Sequence, residues 1–300
     1  MTHINRNKSA LHQAEQIYLE EQESIKTDKR WRNFVKSSHK LHKSARRGTL
    51  PFDPRFNAVH WAFNVSSLCR EIVFGYCWMK AYAKLYKKEV SQGSQPAHVD
   101  FHVTYYADNC ITRIDSCRDK LALMIWAYYC PFNPEKKDET LDYQQIVERL
   151  KYPVKFGIVL RNHSSFLRIL QDLKGNDFAR VERYRNYKVH RIEPRIELYG
   201  VAPHHGWSYT IPLLQEKDIS KWEKELQKSY PDERFREHIK KGCYIRGVLY
   251  DRKKIEDSIW DYCEVEKHIK SCMQKLLIAS TEAFKVLMKR APLKSKRNRA

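Results

Sequence analysis

The chain has 300 residues and carries 56 Lys and Arg against 36 Asp and Glu, which gives a formal net charge of +20. With 42% hydrophobic and 12% aromatic residues it is too apolar to be disordered, so the composition predicts a globular protein with a buried core. The length fits two average domains or one elaborated helical domain with an insertion. When clustered Lys and Arg bind phosphates, counterions are released and binding is favoured. The charge therefore predicts a polyanionic partner without distinguishing RNA, DNA and the ribosome.

The sequence lacks the signals of a membrane or exported protein. Its longest apolar run, Leu121 to Cys130, is well short of the roughly 18 residues that a membrane-spanning helix requires. The N-terminal segment is polar and has no apolar signal core, so we expect no export, no membrane contact and a cytoplasmic location. The 8 cysteines contain no C-x-x-C pair, and we expect them to be buried and unpaired rather than to bind zinc.

The first two predicted regions are a basic arm and a helical core. Residues 1–50 are predicted to form an amphipathic arm that is either a solvated helix or a surface that faces RNA or a partner. Residues 51–195 are predicted to form the core, which starts with a long helix from Val59 to about Lys88. Asp100 can cap the next helix, whose apolar residues recur at steps of four and three and predict one buried stripe. The stripe consists of Cys110, Ile114, Cys117, Leu121, Met124 and Tyr128.

The opposite face of that second core helix carries a row of acidic residues. The polar row consists of Asp108, Thr112, Asp115 and Asp119. Three carboxylates in a row can bind a divalent metal, but the cations Arg113, Arg118 and Lys120 lie within one turn. We therefore attribute the row to intrahelical or cross-helix ion pairs and assign it neither a metal nor a catalytic role.

Shorter elements complete the chain. Helices are predicted from Leu141 to Lys151 and from Ser164 to Leu173, with Gly175 ending the second. Residues 196–257 are predicted to form a mixed insertion, with short strands, a helix over 220–227 and a strand from Tyr244 to Tyr250. Residues 258–300 are predicted to form a final helix and a basic tail that pack on the core. The apolar stripe of that helix is Val265, Ile269, Cys272, Leu276, Ala279, Ala283 and Val286.

Residues 180–195, at the C-terminal end of the predicted core, interleave arginine and lysine with tyrosine and histidine. Guanidinium groups bind phosphate through two parallel hydrogen bonds, tyrosine rings stack on bases, and histidine moves protons near neutral pH. This combination is typical of a ribonuclease that needs no metal, and we expect RNA as the partner and no cofactor. The residues predicted to bind RNA are Arg180, Arg183, Tyr184, Tyr187, Lys188 and Arg191.

Within this segment Arg185 and Asn186 are followed, after three further residues, by His190. This spacing resembles the Arg, polar residue, three residues, His signature of the HEPN superfamily, with the motif at what the sequence suggests is the fourth core helix and its entry. The helical texture from Val59 to Pro194 is similar to that of bacterial HEPN domains in defence or toxin systems. The resemblance implies a mainly α-helical, antiparallel bundle, here decorated by the basic arm and the mixed insertion.

The resemblance also implies an activity, a metal-independent endoribonuclease that cleaves RNA by attack of its own 2′-hydroxyl. His190 would be the general acid or base, Arg185 would stabilise the phosphorane, and Asn186 would orient His190 or a phosphate oxygen. One motif supplies one histidine whereas the reaction uses an acid and a base, so two copies are expected to face each other in a homodimer. A defence or toxin role, and an antitoxin or regulatory partner, follow by analogy with the family. The tyrosine at which some members are silenced by a nucleotidyltransferase is replaced here by Ile192, which argues against that modification.

Proteins of other classes remain as alternatives. A non-catalytic RNA-binding or scaffold protein would keep the basic groove, with Arg185 paired to Glu182 and His190 packed in the structure. A subunit regulated by a separate partner is a third possibility. The adjacent His204 and His205 point to opposite faces of an extended segment and are assigned no metal. The sequence has no glycine-rich phosphate loop, no G-x-S-x-G and no H-E-x-x-H, which argues against an NTPase, a serine hydrolase and a zinc protease.

Overall fold

The computed structural model describes residues 2–47, 56–93, 99–129, 141–152, 155, 163–190, 195–198, 242–245, 248–251 and 259–288. Within these ranges the chain forms eight α-helices and four short β-strands. The helices are α1 (Thr2–Thr27), α2 (Lys29–Arg46), α3 (Phe56–Ser91), α4 (Val99–Tyr129), α5 (Tyr143–Lys151), α6 (His163–Gln171), α7 (Asn176–His190) and α8 (Tyr262–Met288). The strands are β1 (Arg195–Glu197), β2 (Gly242–Ile245), β3 (Val248–Asp251) and β4 (Ile259–Asp261).

Helices α3 and α4 form an antiparallel pair at the centre of the fold. The Sγ atom of Cys110 lies 3.6 Å from the carbonyl oxygen of Ile72, and that of Cys117 lies 4.0 Å from that of Val65. Residue numbers therefore rise along one helix as they fall along the other. The predicted apolar stripe of α4 is buried at every position, because it faces α3 and α8.

Helix α8 completes the central core. The whole apolar stripe predicted for it is buried, and it packs on α2, α3, α4 and α7. The Sγ atom of Cys69 on α3 lies 3.6 Å from the Oγ atom of Ser280 on α8. The ring centroids of Phe34 on α2 and Phe284 on α8 are 6.2 Å apart. The predicted mainly α-helical, antiparallel bundle is confirmed. In the part of the chain that the structure describes, no helix combines the length and the apolar character that a membrane span requires.

Residues 2–47 form two helices that lie on the bundle. Asp28 separates them, since its side chain caps α2 by accepting a hydrogen bond from the backbone N–H of Arg30 at 2.7 Å. Phe34 and Leu41 of α2 are fully buried, and α1 packs on α3 through Glu21, which pairs with Lys80 at 2.7 Å. The segment predicted as an arm is therefore docked along its inner face rather than solvated all round.

A capping box and a glycine mark the starts of two of the shorter helices. Asp142 and Gln145 form a reciprocal capping box at the start of α5. Gly175, with a φ of 149°, lies between α6 and α7, where a positive φ favours glycine. The prediction that Asp100 caps α4 is wrong, because α4 begins at Val99 and Asp100 lies inside its first turn.

The strands form two small sheets. β1 pairs in parallel with β4, with Arg195 opposite Ile259, so the two ends of the predicted insertion lie side by side. β2 and β3 are antiparallel neighbours where the sequence predicts one strand. The helix predicted over 220–227, the two histidines at 204 and 205, and the basic tail from Lys294 to Arg299 lie outside the described residues.

Most of the described cysteines are buried thiols, as predicted. The buried ones are Cys69, Cys77, Cys110, Cys117 and Cys272. Burial raises the pKa of the Cys77 thiol to about 12. Cys263 is exposed, which the prediction missed, and Cys130 and the side chain of Cys243 lie outside the described part of the chain.

Gly75 permits the close approach of α3 and α4. A Cβ atom at this position would lie 2.8 Å from the Sγ atom of Cys110. Replacing a helical glycine by alanine gains about 1 kcal/mol of helix propensity, whereas overpacking costs about 1–3 kcal/mol. We therefore predict that Gly75→Ala lowers the free energy of unfolding, measured by urea denaturation. In a Cys110→Ala background the same change should stabilise the protein, and an equal effect in both backgrounds would contradict this account.

Candidate active site

Asp115 is a buried carboxylate on the acidic face of α4 that bridges two arginines. Its side chain is 6% exposed, its Oδ1 atom accepts a hydrogen bond from Nη2 of Arg118 at 2.9 Å, and its Oδ2 atom lies 2.7 Å from Nη1 of Arg185. A carboxylate shielded from water is stable only when cations and hydrogen bonds replace its hydration. The bridge therefore fixes the guanidinium group of Arg185 to α4.

Arg118 extends this bridge to three helices. Its guanidinium group lies 3.4 Å from Glu182 of α7 and 4.8 Å from the ring centroid of Tyr143 of α5. A cation over an aromatic face is attracted by the ring quadrupole, most strongly where water is excluded. Since the Arg118 side chain is only 11% exposed, it acts as an internal link between α4, α5 and α7.

A neighbouring carboxyl group is influenced by the same charges. Burial raises the pKa of Asp119, and the negative charge of Asp115 raises it further. The cations Arg118 and Arg185 oppose this shift. On the acidic face of α4, the positive charges of Arg118 and Arg185 therefore offset the repulsion between Asp115 and Asp119.

Tyr184 anchors α7 to the same acidic face. Its hydroxyl donates a hydrogen bond to Oδ1 of Asp108 at 2.8 Å, and its ring meets that of Trp260 edge to face at 5.4 Å. Tyr184 is 1% exposed, so its ring is covered by protein on all sides. The prediction that Tyr184 binds RNA is wrong, because a base has no access to the ring.

The N-terminal end of α7 is held by a second, partly buried polar contact. Asp177 accepts hydrogen bonds from Ser271 at 2.6 Å and Lys275 at 2.8 Å, and Nδ1 of His268 lies 2.9 Å from its Oδ1 atom. Burial alone would raise the pKa of Asp177, but the hydrogen bonds from these α8 side chains outweigh it and lower the pKa well below its ordinary value. Helix α7 is thus fixed at one end to α8 and near the other end to α4.

The motif lies on a helix, as predicted, but at the C-terminal end of α7 and not at its entry, because α7 begins at Asn176 directly after Gly175. Arg185 is 44% exposed despite its ion pair, and Asn186 is exposed. His190 is the last residue of the helix, one turn after Asn186, so positions 186 and 190 share a helix face. The side chain of His190 lies outside the described part of the chain.

The remaining predicted RNA-binding residues fall into two groups. Arg180 and Arg183 are exposed one turn apart on α7. Tyr187 and Lys188 belong to α7, but their side chains lie outside the described part, and Arg191 lies outside the described residues altogether.

Several cations near the acidic face of α4 have partners other than those that the sequence predicted. Arg118 pairs with the acidic row as predicted, whereas Arg113 pairs with Glu71 of α3 at 2.6 Å and Lys120 lies 4.6 Å from the ring centroid of Trp61. The alternative pairing of Arg185 with Glu182 is wrong, because Asp115 takes Arg185 and Arg118 takes Glu182. Among the described residues no group of three or more His, Cys, Asp or Glu side chains is placed to hold a metal ion.

The role of Asp115 is not evident from the motif spacing. The available signal was the step of seven from Asp108 to Asp115, which places both carboxylates on one face of α4, together with an arginine-rich helix that needs acidic partners. The cations near this face favour ion pairs and indicate no catalytic role for it, so the sequence alone does not show that the same face positions Arg185.

The described helices form an antiparallel bundle in which α7 holds Arg185 against the buried carboxylate of Asp115. This is the helical architecture that the motif spacing predicted. The family model for HEPN_Cthe2314-like HEPN matches residues 61–239, which is more than half of the 300 residues and includes α4 to α7. The chain belongs to this HEPN family. No curated protein and no solved structure matches it.

The burial of Asp115 predicts a large stability effect. Replacing Asp115 with Asn removes the charge that two arginines share, and breaking a buried pair costs about 3–5 kcal/mol. The matched control is Glu71→Gln, which removes a carboxylate that is 44% exposed from its pair with Arg113 and should cost less than about 1 kcal/mol. Urea denaturation of both variants measures the difference, and similar losses would contradict the assignment.

The low pKa of Asp177 predicts a pH-dependent contribution to stability. Because the folded-state pKa is lowered, the contribution is complete above the ordinary aspartate pKa of about 3.9 and is lost as the pH falls below it. Asp177→Asn should lower the free energy of unfolding by about 1.5–3 kcal/mol at neutral pH, and the gap should close in acid. Asp172→Asn, at an exposed position after α6, should change stability by no more than about 0.5 kcal/mol. A gap that widens in acid would be inconsistent with the Asp177 contact.

Proposed function

We propose that the protein is a metal-independent endoribonuclease in which Arg185, Asn186 and His190 form the active site. The observation that carries this proposal is the geometry of Arg185, which a buried carboxylate holds at 2.7 Å while 44% of the side chain stays exposed. A guanidinium group fixed on one side and open on the other is prepared to bind a phosphate without further ordering. Membership of the HEPN family and the net charge of +20 support RNA as the substrate.

The proposed reaction is an internal transfer within the RNA. The 2′-oxygen attacks the adjacent phosphorus in line, the bond from phosphorus to the 5′-oxygen breaks, and the products carry a 2′,3′-cyclic phosphate and a 5′-hydroxyl. One proton leaves the 2′-hydroxyl and one is delivered to the departing 5′-oxygen. An imidazole with a pKa near neutrality serves either transfer, and such catalysis contributes roughly 10²–10⁴-fold.

Each motif residue has a separate proposed role. His190 is the general acid or base. Arg185 stabilises the charge that builds on the phosphorane oxygens, which is the electrostatic part of catalysis. Asn186 shares a face of α7 with position 190 and orients the imidazole or a phosphate oxygen.

A homodimer would supply the second proton-transfer group. A two-fold axis near the C-terminal end of α7 would place two copies of the motif around one phosphate. Arg180 and Arg183, exposed on the same helix, would then add their charge to both sides of the cleft. The proposed biological role is a defence or toxin effector under the control of an antitoxin or another regulatory partner.

A second candidate function is a non-catalytic RNA-binding or scaffold protein with the same fold. The observation that favours it is the ion pair of Arg185 itself, because a purely structural arginine would make the same contact with Asp115. In that case the exposed part of Arg185 binds phosphate, and no bond in the RNA breaks. The nuclease would create new RNA ends, whereas the scaffold would leave the RNA ends unchanged.

Cleavage of total RNA in excess EDTA tests the proposal. The purified protein should produce cyclic-phosphate ends, and Arg185→Ala and His190→Ala should each lower the rate by about 10² or more. Arg168→Ala is the charge-matched control, since Arg168 is 68% exposed on α6, outside the motif, and it should leave the rate unchanged. RNA binding without cleavage by the wild-type protein would favour the scaffold, and cleavage unaffected by the two motif variants would refute the assignment of the site.

A further inference from the structure

The outer face of α2 carries an unbroken row of exposed cations, which we call the α2 track. Its members follow one another at steps of three and four, the spacing that keeps residues on one side of a helix. The α2 track consists of Lys29, Arg32, Lys36, Lys40, Lys43 and Arg47, and all six are exposed. Helix α2 has 18 residues, so the track is about 27 Å long at 1.5 Å per residue.

Little negative charge offsets the track. Residues 29–47 contain no Asp or Glu. Asp28, at the head of α2, is engaged by Arg30 at 2.6 Å, and Arg30 is not a member of the track. Among the described residues no carboxylate lies within ion-pair distance of any of the six cations. A row of like charges repels itself, so a polyanion that lies along it gains free energy by relieving that repulsion and releasing counterions.

The track is rigid because the opposite face of α2 is fixed to the bundle. Phe34 and Leu41 are fully buried, and the ring of Phe34 packs against that of Phe284 on α8. The hydroxyl groups of Ser38 and Ser66 are hydrogen-bonded at 2.6 Å in the interface with α3. The backbone of the track is therefore already ordered before a ligand binds, which lowers the entropic cost of binding.

From this arrangement we infer that the α2 track binds the phosphate backbone of an RNA strand at a surface separate from the motif. The Cβ atoms of residues one turn apart on a helix face lie about 5–6 Å apart, so one strand can contact several of the six cations at once. Helix α2 packs on α3 and α8, whereas α7 packs on α4 and α8, so the track and the motif lie on different elements. The inference rests on the proposed function only in naming RNA as the ligand, and it does not require cleavage.

Two other polyanionic partners fit the track less well. A helix that binds a membrane surface inserts an apolar face into the lipid, but the apolar face of α2 is already buried in the bundle. A protein partner would be anchored by large apolar side chains in pockets, whereas the exposed positions of α2 are polar or charged. A flexible strand of phosphates needs neither feature.

The salt dependence of RNA binding tests the inference. The probe is a fluorescein-labelled 2′-O-methyl oligouridylate, which lacks the attacking hydroxyl and stays intact, and the full chain is titrated by anisotropy at several salt concentrations. For single strands the slope of log K against log salt is about −0.7 for each phosphate neutralised. Lys36→Gln combined with Lys40→Gln should therefore make the slope shallower by about 1.4 and weaken binding several-fold at low salt.

The matched control removes the same charge from another surface. Lys267 and Lys270 are exposed on the N-terminal half of α8, and replacing both with Gln should leave the slope nearly unchanged. Circular dichroism establishes that both double variants are folded. An equal loss in the two double variants, or an unchanged slope in the α2 variant, would overturn the inference, as would binding of phosphatidylserine vesicles in preference to the oligonucleotide.

Parallel assays separate this inference from the proposed function. If the wild-type protein binds the probe through the track but does not cleave ordinary RNA, the nuclease proposal fails and the track stands. If it cleaves RNA and the α2 variant binds the probe as the wild type does, the track fails and the nuclease stands.

Discussion

A carboxylate removed from water must be neutralised where it lies, and this requirement at Asp115 organises the side of the bundle that carries the motif. Asp115 takes one arginine from its own helix and one from α7. Arg118 in turn contacts Glu182 of α7 and the ring of Tyr143 of α5. The guanidinium group of Arg118 therefore links α4, α5 and α7. Without the charge of Asp115, α7 would lose the contact that fixes Arg185 to α4.

The two polar contacts of α7 give the motif a firm support. Asp177 fastens one end of the helix to α8, and Asp115 with Tyr184 fastens the region next to the motif to α4 and its neighbours. Residues on a helix held at both ends are positioned more accurately than residues on a loop. The contact with Asp115 fixes one side of Arg185 and leaves 44% of its side chain exposed next to positions 186 and 190.

The sequence predicted the central helices well because burial imposes a regular spacing. The stripe of α4 and that of α8 are buried throughout, and apolar steps of three and four sustained over several turns are typical of a helix with one buried face. The sequence did not predict which cation pairs with which carboxylate, since Arg113, Arg118 and Arg185 carry the same charge and only the packing of helices decides among them. The misassignment of Tyr184 has a similar cause, because an aromatic residue among arginines looks the same in sequence whether it faces RNA or the core.

The central claim is that Asp115 acts on RNA cleavage through Arg185, and a double-variant cycle in the cleavage rate tests it most directly. The rates of Asp115→Asn, Arg185→Ala and the combined variant are compared with the wild type in EDTA, at a temperature where all four are folded by circular dichroism. The account predicts that Asp115→Asn slows cleavage and that the combined variant is no slower than Arg185→Ala alone. Losses that multiply, or a wild-type protein without cleavage, would contradict it.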